Sequence, residues 1–183
     1  MTTMHEFDPQ ALQVAALLPA IADEQLSAPT PCEEFTVSDL LDHLLGLTVA
    51  FRDAATKTPG TTAPADDWRS GIPRQLDALA AAWRDPAAWE GTTEAGGVEL
   101  PAEEMGTVAL NELVIHGWDL ARATGQPYEP DPAATEAICA FLSAWENPEG
   151  TPGLFGPVVQ IASDAPLLDR ALGLTGRDPS WTP

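Results

Sequence analysis

The stretch PAEEMGTVALNELVIHGWDLARATG, residues 101–125, has the clearest helical pattern in the chain and decides its fold. Pro101 suits the first turn of a helix, Glu103 lies near the positive end of the helix dipole, and Gly125 is a helix terminator. Small and apolar residues recur at helical spacing between these two ends. Residues 101–124 are therefore predicted to form a long helix with one face in the core.

Further helices are predicted on either side of this one. Thr36 is a favourable N-cap, and Asp39, three residues later, completes a variant of the capping box. The helix that begins there should end near Lys57. Residues 89–100 are rich in glycine and show little periodicity, which predicts a loop or a short two-stranded hairpin. The remaining predicted helices cover residues 8–24, with Asp8 as the cap and a break at Pro19, and residues 73–84, 131–145 and 166–174.

The pattern of long amphipathic helices, with few strand signals, predicts an all-α fold built on a four-helix bundle with additional short C-terminal helices. A chain of 183 residues suits one domain. We therefore expect residues 1–183 to form a single helical domain, with a bundle core at about residues 8–146 and a C-terminal extension at residues 147–183. Residues 58–65 are expected to be a linker, and residues 175–183 a loosely held tail.

The charge balance limits the partners of the protein. The sequence has 8 basic and 28 acidic residues, a formal net charge of −20. Such a surface repels phosphate backbones and anionic headgroups, so nucleic acids and anionic membranes are not expected as partners. The N-terminus has no apolar run typical of a signal peptide, and no stretch approaches the ~18 apolar residues of a membrane span. We therefore expect a cytoplasmic protein in which Cys32 and Cys139 are free thiols.

Three residues on two predicted helices are candidate metal ligands. Glu112 and His116 are four residues apart, which places both on one face of the long helix, and that face is predicted to be buried. A buried carboxylate and imidazole need partners. His43 lies between Leu40 and Leu47 of the inward stripe of its own helix. On its own, His43 is more typical of a core histidine bonded to a backbone carbonyl. Taken together, the three residues favour a divalent metal site within the bundle as strongly as that alternative.

Other residues near these positions allow two interpretations each. Asp119, three residues after His116, is predicted either to orient a ligand histidine by a hydrogen bond or to pair with Arg122 on the helix surface. Trp68 and Trp118 either line a pocket or pack in the core. Cys32 has no neighbouring histidine in the sequence, which favours an incidental thiol over a nucleophile.

The motifs around these candidates resemble those of a known family. PCEEFTVSDLLDHL, residues 31–44, and NELVIHGWDLARATG, residues 111–125, are similar to two signatures of the mycothiol-dependent maleylpyruvate isomerase N-terminal domain family. APLLDR, residues 165–170, and GRDP, residues 176–179, resemble the C-terminal end of the smaller metal-binding branch of that family. The resemblance covers nearly the whole chain.

The resemblance implies a DinB-like four-helix bundle with one divalent metal ion at one end of its core, held by His43, Glu112 and His116. The implied metal is zinc, with nickel or iron as alternatives, and the implied co-substrate is mycothiol. We also expect the chain to lack a substantial second domain of the isomerase, and therefore to act on a substrate other than maleylpyruvate.

The expected function follows from the chemistry of these ligands. Three protein ligands leave an open position on zinc, where a low-molecular-weight thiol would lose its proton and become a better nucleophile. We therefore expect a mycothiol-dependent transferase or isomerase that acts on a small electrophilic substrate. The alternative is a non-catalytic metal- or ligand-binding module, such as a sensor or interaction protein. Either would be a monomer or a homodimer.

Overall fold

The structure, a computed structural model, describes residues 4–58, 67–145, 147–151 and 154–183. The chain is mostly helical, and it has a small two-stranded antiparallel sheet immediately before the fourth helix. The fold is therefore mostly helical but not purely all-α. The hairpin is the second of the two possibilities predicted for residues 89–100. The elements are α1 (Asp8–Leu17), α2 (Val37–Thr56), α3 (Trp68–Trp83), β1 (Thr92–Ala95), β2 (Val98–Pro101), α4 (Ala102–Thr124), α5 (Pro132–Ala144) and α6 (Leu167–Leu174).

The local signals for α2 are confirmed. The Thr36 side chain accepts a hydrogen bond from the Asp39 amide at 3.2 Å, and the Asp39 carboxylate accepts one from the Thr36 amide at 2.9 Å. This reciprocal pair satisfies two amides that the first turn of the helix leaves without partners. α2 ends at Lys57, which adopts the left-handed conformation with φ of 54°. The predicted break at Pro19 is also present, because α1 gives way to a short 3-10 turn at Leu18–Ala20.

One predicted cap and one predicted helix start are wrong. Asp8 is the first residue of α1 rather than its cap, and its carboxylate instead binds Arg84, which follows the end of α3. This contact also shows that α1 and α3 run in opposite directions. α3 begins at Trp68, so Pro73 lies inside the helix rather than at its start. Most of the predicted linker at residues 58–65 lies outside the described residues.

Two hydrogen bonds show that α2 and α3 run in the same direction. The Thr48 hydroxyl donates to the side-chain carbonyl of Gln75 at 2.6 Å, and the Trp83 indole donates to the Phe51 carbonyl at 3.1 Å. Thr48 precedes Phe51 in α2, and their partners Gln75 and Trp83 follow in the same order in α3. The two helices are therefore parallel. α3 therefore begins at the end of the helix pair where α2 also begins.

α1 and α4 form a second parallel pair. The Gln10 amide donates to the Leu113 carbonyl at 3.3 Å, and the Gln126 amide donates to the Leu17 carbonyl at 3.1 Å. Because α1 opposes α3, these two helices finish at the end where α2 and α3 begin. α1 and α2 each pack against both α3 and α4, and their buried apolar faces enclose a common core.

The C-terminal part of the chain packs on the outside of α4. α5 contacts both α4 and α6, and the segment after α6 returns to α4, where the Arg122 guanidinium donates to the Pro179 carbonyl at 2.8 Å. The expectation of a loosely held tail at residues 175–183 is therefore wrong. Within the described parts of the chain, no helix combines the length and apolar character that crossing a membrane requires.

A glycine in α4 allows a close approach of a tyrosine side chain. Tyr128 lies directly over Gly117, so that a Cβ atom at this position would collide with the Tyr128 hydroxyl. That hydroxyl accepts a hydrogen bond from Gln10 at 2.6 Å and donates one to the Val114 carbonyl at 3.0 Å. The missing side chain of Gly117 therefore lets one half-buried tyrosine join α1 to α4.

We predict that Gly117→Ala lowers the free energy of unfolding by about 1–3 kcal/mol, because the tyrosine must move and lose these hydrogen bonds. The matched control is Gly46→Ala. A Cβ atom at Gly46, on the exposed side of α2, meets nothing within 4 Å. The same substitution there should raise the free energy of unfolding by about 0.5–1 kcal/mol. Urea titration of the metal-free proteins measures both, and equal stability of the two variants would contradict the prediction.

Candidate metal centre

The structure brings the three predicted ligands together between α2 and α4. His43 lies in the second turn of α2, and Glu112 and His116 lie one turn apart on α4. The Oε2 atom of Glu112 is 3.1 Å from His116 Nε2 and 3.5 Å from His43 Nε2. One possible ligand atom from each residue lies within 4.8 Å of the other two. The two imidazole rings meet edge to face, with centroids 4.8 Å apart.

The cluster is buried on the α4 side and accessible on the α2 side. The His116 side chain is 9% exposed and that of Glu112 is 20% exposed, whereas that of His43 is 36% exposed. Phe35, just before α2, packs its ring against that of His43 with a centroid distance of 5.3 Å. Within the described part of the chain, this ligand group has three members and no fourth histidine, cysteine, aspartate or glutamate.

Asp119 binds the ring nitrogen of His116 that does not face Glu112. Its Oδ2 atom lies 2.9 Å from His116 Nδ1, and the carboxylate is fully buried. The alternative pairing with Arg122 does not form, because the Arg122 guanidinium lies over the Trp118 ring and binds the Pro179 carbonyl. Asp119 therefore occupies the position expected of a residue that orients His116.

Arg177 is the other partner of Asp119, and sequence reasoning missed it. Its Nη2 atom lies 2.9 Å from Asp119 Oδ2, and its Nε atom lies 3.3 Å from Asp119 Oδ1. The GRDP motif at residues 176–179 was recognised as part of a family resemblance, but Arg177 is 58 residues from Asp119. Local periodicity carries no information about a contact at that separation, so the segment was instead predicted to be loosely held.

Opposite charges compensate one another throughout the cluster. Burial alone would lower the pKa of His116, but the Glu112 charge and hydrogen bonds to Asp119 and Glu112 hold that pKa above its usual value. Burial alone would raise the pKa of Glu112, and His116 and His43 hold it well below its usual range. Burial also opposes the charge of Asp119, and Arg177 and His116 together keep its pKa low. These contacts therefore favour the protonated form of His116, between two carboxylates, in the metal-free cluster.

The remaining candidate residues have less direct relations to the cluster. Cys32 and Cys139 are free thiols. Burial is the main cause that raises the pKa of Cys32, although the nearby Arg177 opposes it. Trp118 is buried in the core, and the partly buried Trp68 packs against the core, as the packing interpretation predicts. His5 lies away from the cluster, where its ring contacts that of Trp89.

The residues of the cluster fit a divalent metal ion such as zinc. Two imidazole nitrogens and a carboxylate oxygen are common zinc ligands, and bonds of about 2.0–2.2 Å place neighbouring ligand atoms roughly 3.3 Å apart. The two contacts of Glu112 Oε2, at 3.1 and 3.5 Å, are close to that spacing. The hydrogen bond from His116 Nδ1 to Asp119 leaves Nε2 facing the other two ligands, which is the usual arrangement of a histidine ligand.

Comparison with known proteins identifies the family. The profile described as the mycothiol maleylpyruvate isomerase N-terminal domain matches residues 7–65 and 53–121. Uncharacterized proteins from two strains of Mycobacterium tuberculosis are each 32% identical to this chain over 170 residues, which cover 89% of the chain and 91% of the relative. The chain therefore belongs to the mycothiol maleylpyruvate isomerase N-terminal domain family.

Solved structures share the fold of this chain. A crystal structure of the mycothiol-dependent maleylpyruvate isomerase superimposes with a TM-score of 0.66 at 16% identity, covering 95% of this chain and 88% of that one. A mutant of that isomerase superimposes with a TM-score of 0.58 at 16% identity, covering 76% and 68%. The two superpositions cover 88% and 68% of the isomerase chains, and the expectation about a second domain stays a prediction.

We predict that zinc binding releases about one proton per site at pH 7, because the ion must displace the proton that His116 carries. Calorimetric titration in two buffers with different ionisation enthalpies measures this number. His5→Ala is the matched control and should release the same number, since burial lowers the pKa of His5 and leaves it neutral at pH 7. Zinc binding without proton release would contradict the prediction, because it would show that zinc displaces no proton from His116.

Proposed function

We propose that this protein is a divalent-metal-dependent enzyme that uses mycothiol to isomerise, or to transfer a thiol to, a small electrophilic substrate. The observation that carries the proposal is the convergence of His43 and His116 on one oxygen of Glu112, in a cluster that is open to solvent on one side. The family profile, named for a mycothiol-dependent isomerase, supports the choice of thiol. Zinc is the proposed metal, with nickel or iron as alternatives.

Each residue of the cluster has a separate role in the proposed site. His43 and His116 supply neutral nitrogen ligands and Glu112 supplies one negative charge, while Asp119 holds the His116 ring through Nδ1. When bound, a zinc ion supplies a Lewis acid with an open position, at which a thiol loses its proton near neutral pH. The exposed side of His43 leaves that side of the cluster accessible to small molecules.

The nucleophilic thiol is proposed to come from outside the chain. The charges of Glu112 and Asp119 act on the Cys32 thiol, but burial is the main cause that raises its pKa, so the thiol stays protonated at neutral pH. The net charge of −20 disfavours the approach of an anionic thiol such as glutathione. A sugar-based thiol such as mycothiol carries less negative charge and fits this surface better.

We predict about one zinc ion per chain in protein purified without a polyhistidine tag, because three ligands from two helices form one site. His116→Ala and Glu112→Gln should each lose most of this metal. His5→Ala is the matched control, since it removes a histidine that lies outside the cluster. Elemental analysis checks the content, and equal metal in wild type and His116→Ala would contradict the proposed site.

We predict that the cobalt-substituted protein binds mycothiol at the metal, because a soft thiolate balances the net positive charge of a site with two imidazoles and one carboxylate. Titration should raise a near-ultraviolet charge-transfer band that saturates at about one thiol per metal. Cys32→Ser should give the same band, which shows that the thiolate comes from mycothiol rather than from the chain.

An unchanged cobalt spectrum at saturating mycothiol would contradict the thiol-dependent enzyme and favour the non-catalytic metal- or ligand-binding module. Where the band appears, loss of free thiol or of substrate against a panel of electrophiles, with maleylpyruvate included, identifies the reaction. Metal-free protein is the blank for each electrophile, because the proposed chemistry requires the metal.

A further inference from the structure

We propose that Arg177 is a positioning residue of the metal centre: the segment after α6 supplies a guanidinium that clamps Asp119, and Asp119 in turn fixes the His116 ring with Nε2 toward Glu112 and His43. This inference rests on the proposed metal binding. It assigns a role to the C-terminal segment, which contributes none of the three candidate ligands.

The clamp engages both oxygens of the Asp119 carboxylate. Arg177 Nη2 donates to Oδ2 at 2.9 Å, and Arg177 Nε donates to Oδ1 at 3.3 Å. The same Oδ2 atom is 2.9 Å from His116 Nδ1. Two parallel bonds fix the plane of a carboxylate as well as its place. The position of the Arg177 guanidinium therefore determines where Oδ2 lies, and Oδ2 determines the rotation of the His116 ring.

Burial gives these contacts their importance. The Asp119 side chain is fully buried, and that of Arg177 is 10% exposed. In such surroundings the carboxylate has little access to bulk water, so a missing guanidinium leaves a buried negative charge with His116 as its main protein partner. Asp119 would then lose its fixed orientation, and the ligand nitrogen of His116 would lose its alignment toward Glu112.

The backbone around Arg177 holds the guanidinium in place. The Arg177 amide donates to the Leu172 carbonyl at 2.9 Å, which ties the residue to the end of α6. The Arg177 Nη1 atom donates to the Thr175 carbonyl at 3.1 Å. Between them, Gly176 adopts φ of 83° and lies against Gly156, where a Cβ atom would collide with the Gly156 backbone. The turn after α6 therefore aims the side chain of Arg177 at α4.

Arg122, which lies on α4 like Asp119, provides a matched control for Arg177. It follows Asp119 by three residues and also binds the C-terminal segment, through the Pro179 carbonyl, whereas the ion pairs of Asp119 are with His116 and Arg177. Removing Arg122 loosens the attachment of the segment and leaves the carboxylate clamp in place. The pair of arginines therefore separates an effect on the metal centre from a general effect of the C-terminal segment.

The test measures zinc dissociation constants of the full chain by competition with a chromophoric chelator. Arg177→Ala should raise Kd roughly tenfold or more, since groups that orient metal ligands typically contribute that much. Arg177→Lys should lie between wild type and Arg177→Ala, because an ammonium cannot make two parallel bonds to a carboxylate. Arg122→Ala should leave Kd unchanged. Circular dichroism and urea unfolding of the metal-free variants verify that each is folded.

A spectroscopic signature and a double-mutant cycle identify the route of the effect. The visible bands of cobalt-substituted Arg177→Ala should differ from wild type, because the alignment of His116 changes, while those of Arg122→Ala should not. In an Asp119→Asn background, Arg177→Ala should have little further effect on Kd, since Arg177 acts through that carboxylate.

The outcomes distinguish failure of the proposed metal-dependent function from failure of the positioning role of Arg177. If wild type binds neither zinc nor cobalt, the metal-dependent function and the positioning role fail together. If wild type binds metal and Arg177→Ala binds it equally or more tightly, the positioning role fails and the proposed function stands. Equal losses in Arg177→Ala and Arg122→Ala would also overturn the positioning role, because attachment of the segment would then explain both.

Discussion

A buried carboxylate keeps its charge only where cations or hydrogen-bond donors face it, and α4 buries two of them. Glu112 faces His43 and His116, and Asp119 faces His116 and Arg177. These partners come from three places in the chain: α2, α4 itself and the segment after α6. Compensation of the two charges therefore constrains how α2 and the C-terminal segment lie against α4.

The order of the helices explains where this compensation takes place. Because α2 and α3 are parallel and α1 and α4 run the other way, one end of the molecule contains the starts of two helices and the finishes of two others. His43, in the second turn of α2, therefore meets the second half of α4. In an up-and-down order α2 and α3 would be antiparallel, and periodicity alone does not distinguish the two orders.

The sequence was informative wherever the signal was local. The capping box of Thr36 and Asp39, the break at Pro19 and the four-residue spacing of Glu112 and His116 depend on neighbours within one or two turns. Asp8 was assigned to a cap because its partner Arg84 is distant in the sequence. Arg177 was missed for the same reason, since a contact over 58 residues depends on the path of the intervening chain. Pro73 was placed at a helix start because proline favours that position, although α3 accommodates it inside.

The bond between Arg177 and Asp119 has a thermodynamic consequence for the end of the chain. If docking of this arginine strengthens metal binding by some factor, occupation of the site must strengthen docking by the same factor, because the two equilibria share one coupling free energy. The C-terminal segment would then report on occupancy, exchanging its backbone amide hydrogens more slowly when the ion is bound. Ligation in the interior would thus be coupled to the docking of a segment that contributes none of the three candidate ligands.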